Sequence, residues 1–113
     1  MKFEDAQSKA LAFRDERDWS QFHNPKDLAI SICLEAAELL ECFQWSGEDL
    51  EAREKQGHMA EELADVIIYG IYLADELGID LADIVSQKID LDAMKYPAEK
   101  ARGNSVKYME LER

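Results

Sequence analysis

The 113-residue chain is long enough for one domain with a single modest core. Its 25 acids against 13 bases, a formal net charge of −12, exclude a surface built for duplex nucleic acid, because neutralising phosphates needs clustered Lys and Arg. No apolar run approaches the ~18 residues of a membrane span and no secretory leader is read at the start, so the expectation is a cytoplasmic protein with no membrane contact and reduced thiols.

Residues 2–18 have a moderately amphipathic helical pattern, with Phe3, Ala6, Ala10, Leu11 and Phe13 towards one side. The segment R-D-W-S-Q-F-H-N-P follows at 17–25 and places Trp19 and His23 four residues apart, near a predicted helix–helix junction. Two readings stand side by side: a core tryptophan with a surface histidine, or an aromatic platform on which a base stacks for roughly 1–3 kcal/mol. Asn24-Pro25 then marks a helix start, with Asn as N-cap, Pro at the first helical position and Asp27 at the third. This second helix is expected to run to about Trp45.

Residues 46–57 are a polar connector, with a short helical turn expected within Glu48–Lys55. A third helix is expected from about Gly57 to Leu77, stopped by Gly78. Asp80 caps a fourth, with Asp83 three residues on and a core face of Leu81, Ile84, Val85, Ile89 and Leu91. Pro97 ends it, and the Gly, Asn and Ser of the tail predict loop. The fold class is therefore all-α, a four-helix antiparallel bundle in one domain over 1–113, with 97–113 partly a loop tail. Helices two and three are apolar nearly all round, more than a monomeric bundle needs, which predicts a homo-oligomer.

Two acidic pairs interrupt those apolar helices: E-A-A-E at 35–38 and E-L-A-D at 62–65. Spacing of i, i+3 puts both carboxylates of a pair on one helix face. If the two helices form an antiparallel hairpin, Glu35 and Glu38 come to similar heights as Glu62 and Asp65 and face them. Four such carboxylates repel unless protonated or bound to cations. An all-oxygen site suits a hard ion, Mg²⁺ first and Mn²⁺ second. The plain alternative is a solvated stripe, but Leu34, Cys42 and Trp45 fall in the same sector of helix two, which is odd for a surface. On helix three the corresponding sector also holds His58, Tyr69 and Tyr72. Tyr69, one turn after Asp65, is placed for a metal-bound phosphate, although by default it is a core tyrosine.

Other residues carry less. Cys33 and Cys42, about 13 Å apart along one helix, are too distant to bridge and are read as small core residues. Residues 1–87 hold 20 acids and 7 bases, while 88–113 hold 5 acids and 6 bases, so an anionic substrate would draw its positive charge from the tail and from metal. Lys88, Lys95, Arg102 and Lys107 are individually surface charges, with Arg102 beside Gly103 placed to fold over an anion. No P-loop, HExxH or CxxC occurs, and neither His completes the E-x-x-H of a di-iron bundle.

Taken together, R-D-W-S-Q-F-H-N-P, E-A-A-E-L-L-E-C-F-Q-W at 35–45, E-E-L-A-D-V-I-I-Y at 61–69, and K-Y-P, A-R-G and K-Y in the tail resemble the MazG-like superfamily of all-α nucleoside triphosphate pyrophosphohydrolases. Within it, the similarity is to the small dCTP pyrophosphatase-type members, and it covers nearly the whole chain. The resemblance implies a bundle that forms homodimers or homotetramers and cleaves a (deoxy)nucleoside triphosphate between the α- and β-phosphorus, in a role of cleaning the nucleotide pool. It implies Glu35, Glu38, Glu62 and Asp65 as Mg²⁺ ligands, with Glu35 or Glu38 activating the water. It further implies Trp19, His23 and Trp45 around the base, and Tyr69, Lys88, Asp92, Tyr96 and Arg102 towards phosphate or sugar. Asp92 departs from the pattern, since relatives usually have Asn four residues after the helix-four lysine. Two other readings differ in class: a carboxylate-rich metal-binding bundle without nucleotide chemistry, and a helical interaction module that keeps the fold without the activity.

Overall fold

The computed structural model describes residues 1–107, and the chain divides into two compact units, the first spanning Met1–Ile79 and the second beginning at Asp80. Every regular element among the described residues is helical. The first unit contains α1 (Phe3–Glu16), a 3-10 turn at Trp19–Phe22, α2 (Pro25–Glu41), a 3-10 turn at Arg53–Lys55 and α3 (Gln56–Leu77). The second contains α4 (Leu81–Lys95) and the short α5 (Ala98–Ala101).

The helix starts follow local chemistry. Asn24 accepts a hydrogen bond from the Asp27 backbone N–H at 2.8 Å, and Pro25 opens α2 where its missing N–H costs nothing. Asp80 accepts from the Asp83 N–H at 2.9 Å and caps α4 in the same way. At the end of α3, Gly78 takes a left-handed φ of 67°, so that the N–H groups of Gly78 and Ile79 reach back to Asp75 and Ala74. That closes the helix in a Schellman motif, where a side chain would be strained.

The core of the first unit lies where α3 meets α1 and α2. Leu28 on α2 is 2 % exposed, and Ile71, Tyr72 and Ala74 are buried along α3. α1 is joined to α3 by two polar links. Tyr72 donates its hydroxyl to the Ala10 carbonyl at 2.9 Å, and Arg14 donates to Asp75 at 2.8 Å. Because both sequence numbers rise together across these contacts, α1 runs parallel to α3.

Three local differences from the sequence expectation have physical reasons. α2 ends at Glu41, not near Trp45. Phe43, Gln44 and Ser46 close turns onto carbonyls three residues back, and Trp45 itself takes a left-handed φ of 69°. Cys33 is exposed, while Cys42 is buried as expected. In the tail, residues 98–101 form one helical turn started by Pro97 rather than loop, and Gly103 follows it. The remainder of the expected loop from residue 108, including Tyr108 of the Lys107-Tyr108 pair, lies outside the described residues.

Candidate active site

α2 and α3 bring the acids together. Glu35, Glu62 and Asp65 each offer a carboxylate oxygen, and these oxygens all lie within 4.8 Å of one another. Glu35 faces Glu62 and Asp65, whereas Glu38 and Glu41 share a cavity with His58 and Glu62. Higher numbers on α2 meet lower numbers on α3, so the two helices are antiparallel, which is the condition under which the two acidic pairs face each other.

One oxygen each of Glu35 and Glu62 is buried without a hydrogen-bond partner. Leaving such an atom unpaired is unfavourable, the more so when it is charged, so the arrangement calls for a proton or a cation. The side-chain acidities follow. Glu62 is pushed up from 4.5 to about 7, first because a protonated Glu62 hydrogen-bonds Glu38, then by burial and by the charges of Glu38, Glu35 and Asp65. Glu35 is also raised, chiefly by burial and then by its contact with Glu38. A cluster of half-buried carboxylates with orphaned oxygens fits a divalent cation that prefers oxygen ligands.

On one side of the acids is a cavity of about 730 Å³ whose walls are mainly apolar. Asp65 and Tyr69 of α3 line it, as do Phe3 and Phe13 of α1, together with Trp19 and His23. The short 3-10 turn places Trp19 edge-on to Phe13, at 5.5 Å between centroids, and leaves the indole 44 % exposed. His23 lies 5.1 Å from the Tyr72 ring, tilted by 33°. Its Nδ1 is buried without a partner, and burial, helped by the positive charge of Arg14, lowers its pKa. The imidazole is therefore held neutral, with one nitrogen to accept and one to donate. A mainly apolar space with aromatic walls and a few polar groups, His23 and Tyr69 among them, suits a planar heterocycle.

On the other side is a smaller, polar cavity of about 260 Å³, lined by Glu38, Glu41, Cys42, Lys55, His58 and Glu62. Lys55 arrives there because the connector turns sharply. Asp49 accepts from the N–H groups of Glu51 and Ala52 at 3.2 Å, and the buried Ala52 takes a left-handed φ of 41°. Sequence reasoning read Lys55 only as part of a polar connector, and nothing in its immediate neighbours marks it.

Of the other expected site residues, Trp45 is 92 % exposed in the turn after α2 and does not line the larger cavity. Tyr69 lines it and meets Tyr72 edge-on at 6.2 Å. Four positions belong to the second unit. There Lys88 donates to Asp92 at 2.8 Å across one turn of α4, Tyr96 caps the C-terminus of α4, and Arg102 follows α5. Arg14 was missed as a site neighbour, and Tyr72 was read only as sharing the sector of Glu62 and Asp65, since their partners Asp75 and Ala10 lie some sixty residues away in sequence.

Comparisons with known proteins show which proteins the chain is similar to. The MazG-like family model matches residues 30–111. The chain is 39 % identical over 113 residues to human (Homo sapiens) dCTP pyrophosphatase 1, covering 96 % of this chain and 66 % of that protein. It is 36 % identical over 115 residues to the mouse (Mus musculus) dCTP pyrophosphatase 1, covering 97 % of this chain and 68 % of that one. The chain thus spans about two thirds of the length of these relatives. Among solved structures, a pyrophosphatase from Archaeoglobus fulgidus superposes with a TM-score of 0.76 at 41 % identity, over 84 % of this chain and 92 % of that one.

Proposed function

The chain belongs to the MazG-like family, and from that premise we propose that it hydrolyses deoxynucleoside triphosphates, dCTP or close relatives first, to the monophosphate and pyrophosphate. The observation that carries the reading is the facing carboxylate set of α2 and α3, flanked by an aromatic-walled cavity with ample room for a nucleobase. A cytoplasmic pool of nucleotides is the natural setting for such an enzyme, and no helix among the described residues is long and apolar enough to cross a membrane.

Glu35, Glu62 and Asp65, whose oxygens converge, would hold Mg²⁺ together with Glu38, which lines a cavity with Glu62, and Mn²⁺ is the alternative, because these are hard oxygen donors. When bound, the ion supplies positive charge to the phosphate oxygens and acidifies water. Glu35 or Glu38 orients the attacking water and takes its proton. The new O–P bond forms at the α-phosphorus as the bridging O–P bond to the β-phosphate breaks, and pyrophosphate leaves with the electron pair. Trp19 stacks on the base, and the neutral His23 reads its polar edge. Tyr69 contacts phosphate or sugar. Lys88, Asp92, Tyr96 and Arg102 belong to the same proposal, with the Lys88–Asp92 pair as a constraint, since Asp92 already engages the ammonium that a phosphate would use. Trp45 joins the base pocket only in this proposal.

The whole chain acts as one domain within a homo-oligomer, dimer or tetramer. Support comes from the exposed apolar side chains Leu34 and Leu40 of α2 and Leu63 and Ile67 of α3. Incubation with a panel of deoxynucleoside triphosphates and Mg²⁺, with products separated by chromatography, tests the function. Monophosphate with pyrophosphate in equal amounts is expected, most rapidly from dCTP. Release of orthophosphate instead, or no turnover of any nucleotide, would overturn it.

A further inference from the structure

In a chain with nearly twice as many acids as bases, a lysine has carboxylates in surplus to pair with. Arg14, Arg17, Arg53 and Lys88 all do so. Lys55, like Lys2, Lys9 and Lys26, forms no ion pair among the described residues, but of these four it alone lines a cavity with Glu38, Glu41 and Glu62. His58, one turn further on, lines that cavity too. Two basic side chains are thus left uncommitted on the wall of a polar space that shares Glu38 and Glu62 with the carboxylate set.

The two cavities differ in chemistry, and each is lined by part of the acidic set. Asp65 lines the apolar one, and Glu38 and Glu62 line the polar one. A nucleoside triphosphate is itself polar at one end and flat and apolar at the other, so the pair of cavities gives it a direction. The base belongs against Trp19 and Tyr69, the α-phosphate over the acids, and the rest of the triphosphate in the polar space. That space, at about 260 Å³, equals roughly eight waters at ~30 Å³ each, enough for two phosphate groups. An anion is stable beside three glutamates only when their charge is compensated, so the inference rests on the divalent-cation reading above.

We propose that Lys55, with His58 beside it, binds the β- and γ-phosphates, so that pyrophosphate leaves through the polar cavity lined by Glu38, Glu41 and Glu62. Lys55 supplies a mobile point charge with three donors, suited to a group that must be held in the transition state and then released. The contact strengthens as the bridging oxygen leaves and charge builds on the pyrophosphate, so it acts on turnover as well as on binding.

Product inhibition of the Mg²⁺-loaded full chain separates this role from others. In Lys55→Ala, the inhibition constant for inorganic pyrophosphate should rise roughly tenfold, as expected for one charge-assisted contact, while that for dCMP stays within about twofold. Lys55→Arg should recover much of the loss, and melting temperature should not move, because Lys55 holds no ion pair. His58→Ala should give a smaller change in the same direction. Unchanged pyrophosphate inhibition in Lys55→Ala, or equal weakening for both products, would overturn the inference. Should the wild type turn over no nucleotide, calorimetric titration of the Mg²⁺-loaded protein with pyrophosphate still decides: binding lost in Lys55→Ala supports the site, and binding absent or unaltered ends it.

Discussion

Arg14 of α1 reaches across to α3 and donates to Asp75 at 2.8 Å, with its side chain only 9 % exposed and that of Asp75 45 % exposed. The same guanidinium donates to Asp15 and lies 5.7 Å from the centre of the Tyr72 ring. Removing the buried partner of such a pair leaves its methylenes unpacked and a carboxylate uncompensated. Because Asp75 is half open to water, the penalty for Arg14→Ala should fall near 2 kcal/mol, below that of a fully buried pair. Urea denaturation of Arg14→Ala, Asp75→Ala and the double variant checks it. A coupling energy near zero would show that the two residues stabilise the fold independently.

Without a bound cation, protonation governs the carboxylate set. Between 4.5, where Glu62 titrates in the unfolded chain, and about 7, where it titrates in the fold, the folded protein holds a proton the unfolded chain has lost. The contribution of Glu62 to stability is therefore greatest at low pH and declines as pH rises through that window. Glu35, also raised, adds with the same sign. His23, lowered from 6.5, acts oppositely, because the unfolded chain takes up a proton first as pH falls. The comparison that isolates the acids is wild type against Glu62→Gln, denatured in chelator from pH 5 to 8. The variant should be relatively more stable at pH 8 than at pH 5, and Mg²⁺ should raise wild-type stability most at the alkaline end.

Trp19 separates pocket from scaffold. With 44 % of the residue exposed, it contributes modestly to packing, so Trp19→Ala should lower the melting temperature by only a few degrees. If the indole stacks on the base, KM should rise about ten- to a hundredfold, equivalent to roughly 1–3 kcal/mol, with less effect on kcat. A large loss of melting temperature with unaltered KM for every nucleotide would assign Trp19 to the scaffold alone.

Asn24 holds the start of the helix that carries Glu35 and Glu38. Its Oδ1 accepts from the Asp27 N–H and its Nδ2 donates to the Asp27 carboxylate, both at 2.8 Å. Asn24→Ala should cost about 1 kcal/mol of stability, and Asn24→Ser much less, because Ser also caps well. Denaturant midpoints of the two variants provide the check. Equal losses would mean that the contact with the Asp27 carboxylate, rather than the cap, supplies the stability.

What the sequence made legible was local. The Asn24-Pro25 start, the Gly78 stop and the Asp80 cap are each written within four residues, and the i, i+3 acids need only an antiparallel hairpin to meet. Trp45 was less legible, since the turn after Glu41 is set by hydrogen bonds and a left-handed residue that no apolar rhythm records. The helical turn at 98–101 was hidden by the Gly, Asn and Ser that follow it. Lys55 and Arg14 had no local signature at all. One is defined by a tight connector that swings it towards α3, the other by a partner sixty-one residues away.

Both polar links between α1 and α3 among the described residues sit in the second half of α1, at Ala10 and Arg14, while the larger cavity runs on past Ala6 and Phe3 to Met1. A wall tethered at one end bends like a cantilever, stiff at its root and compliant at its tip. Amide exchange along α1 should accordingly be slowest near Arg14 and quicken towards Phe3. The pocket inherits that gradient: bulk is strictly limited beside His23 and Tyr72 and increasingly tolerated towards the free end of the helix.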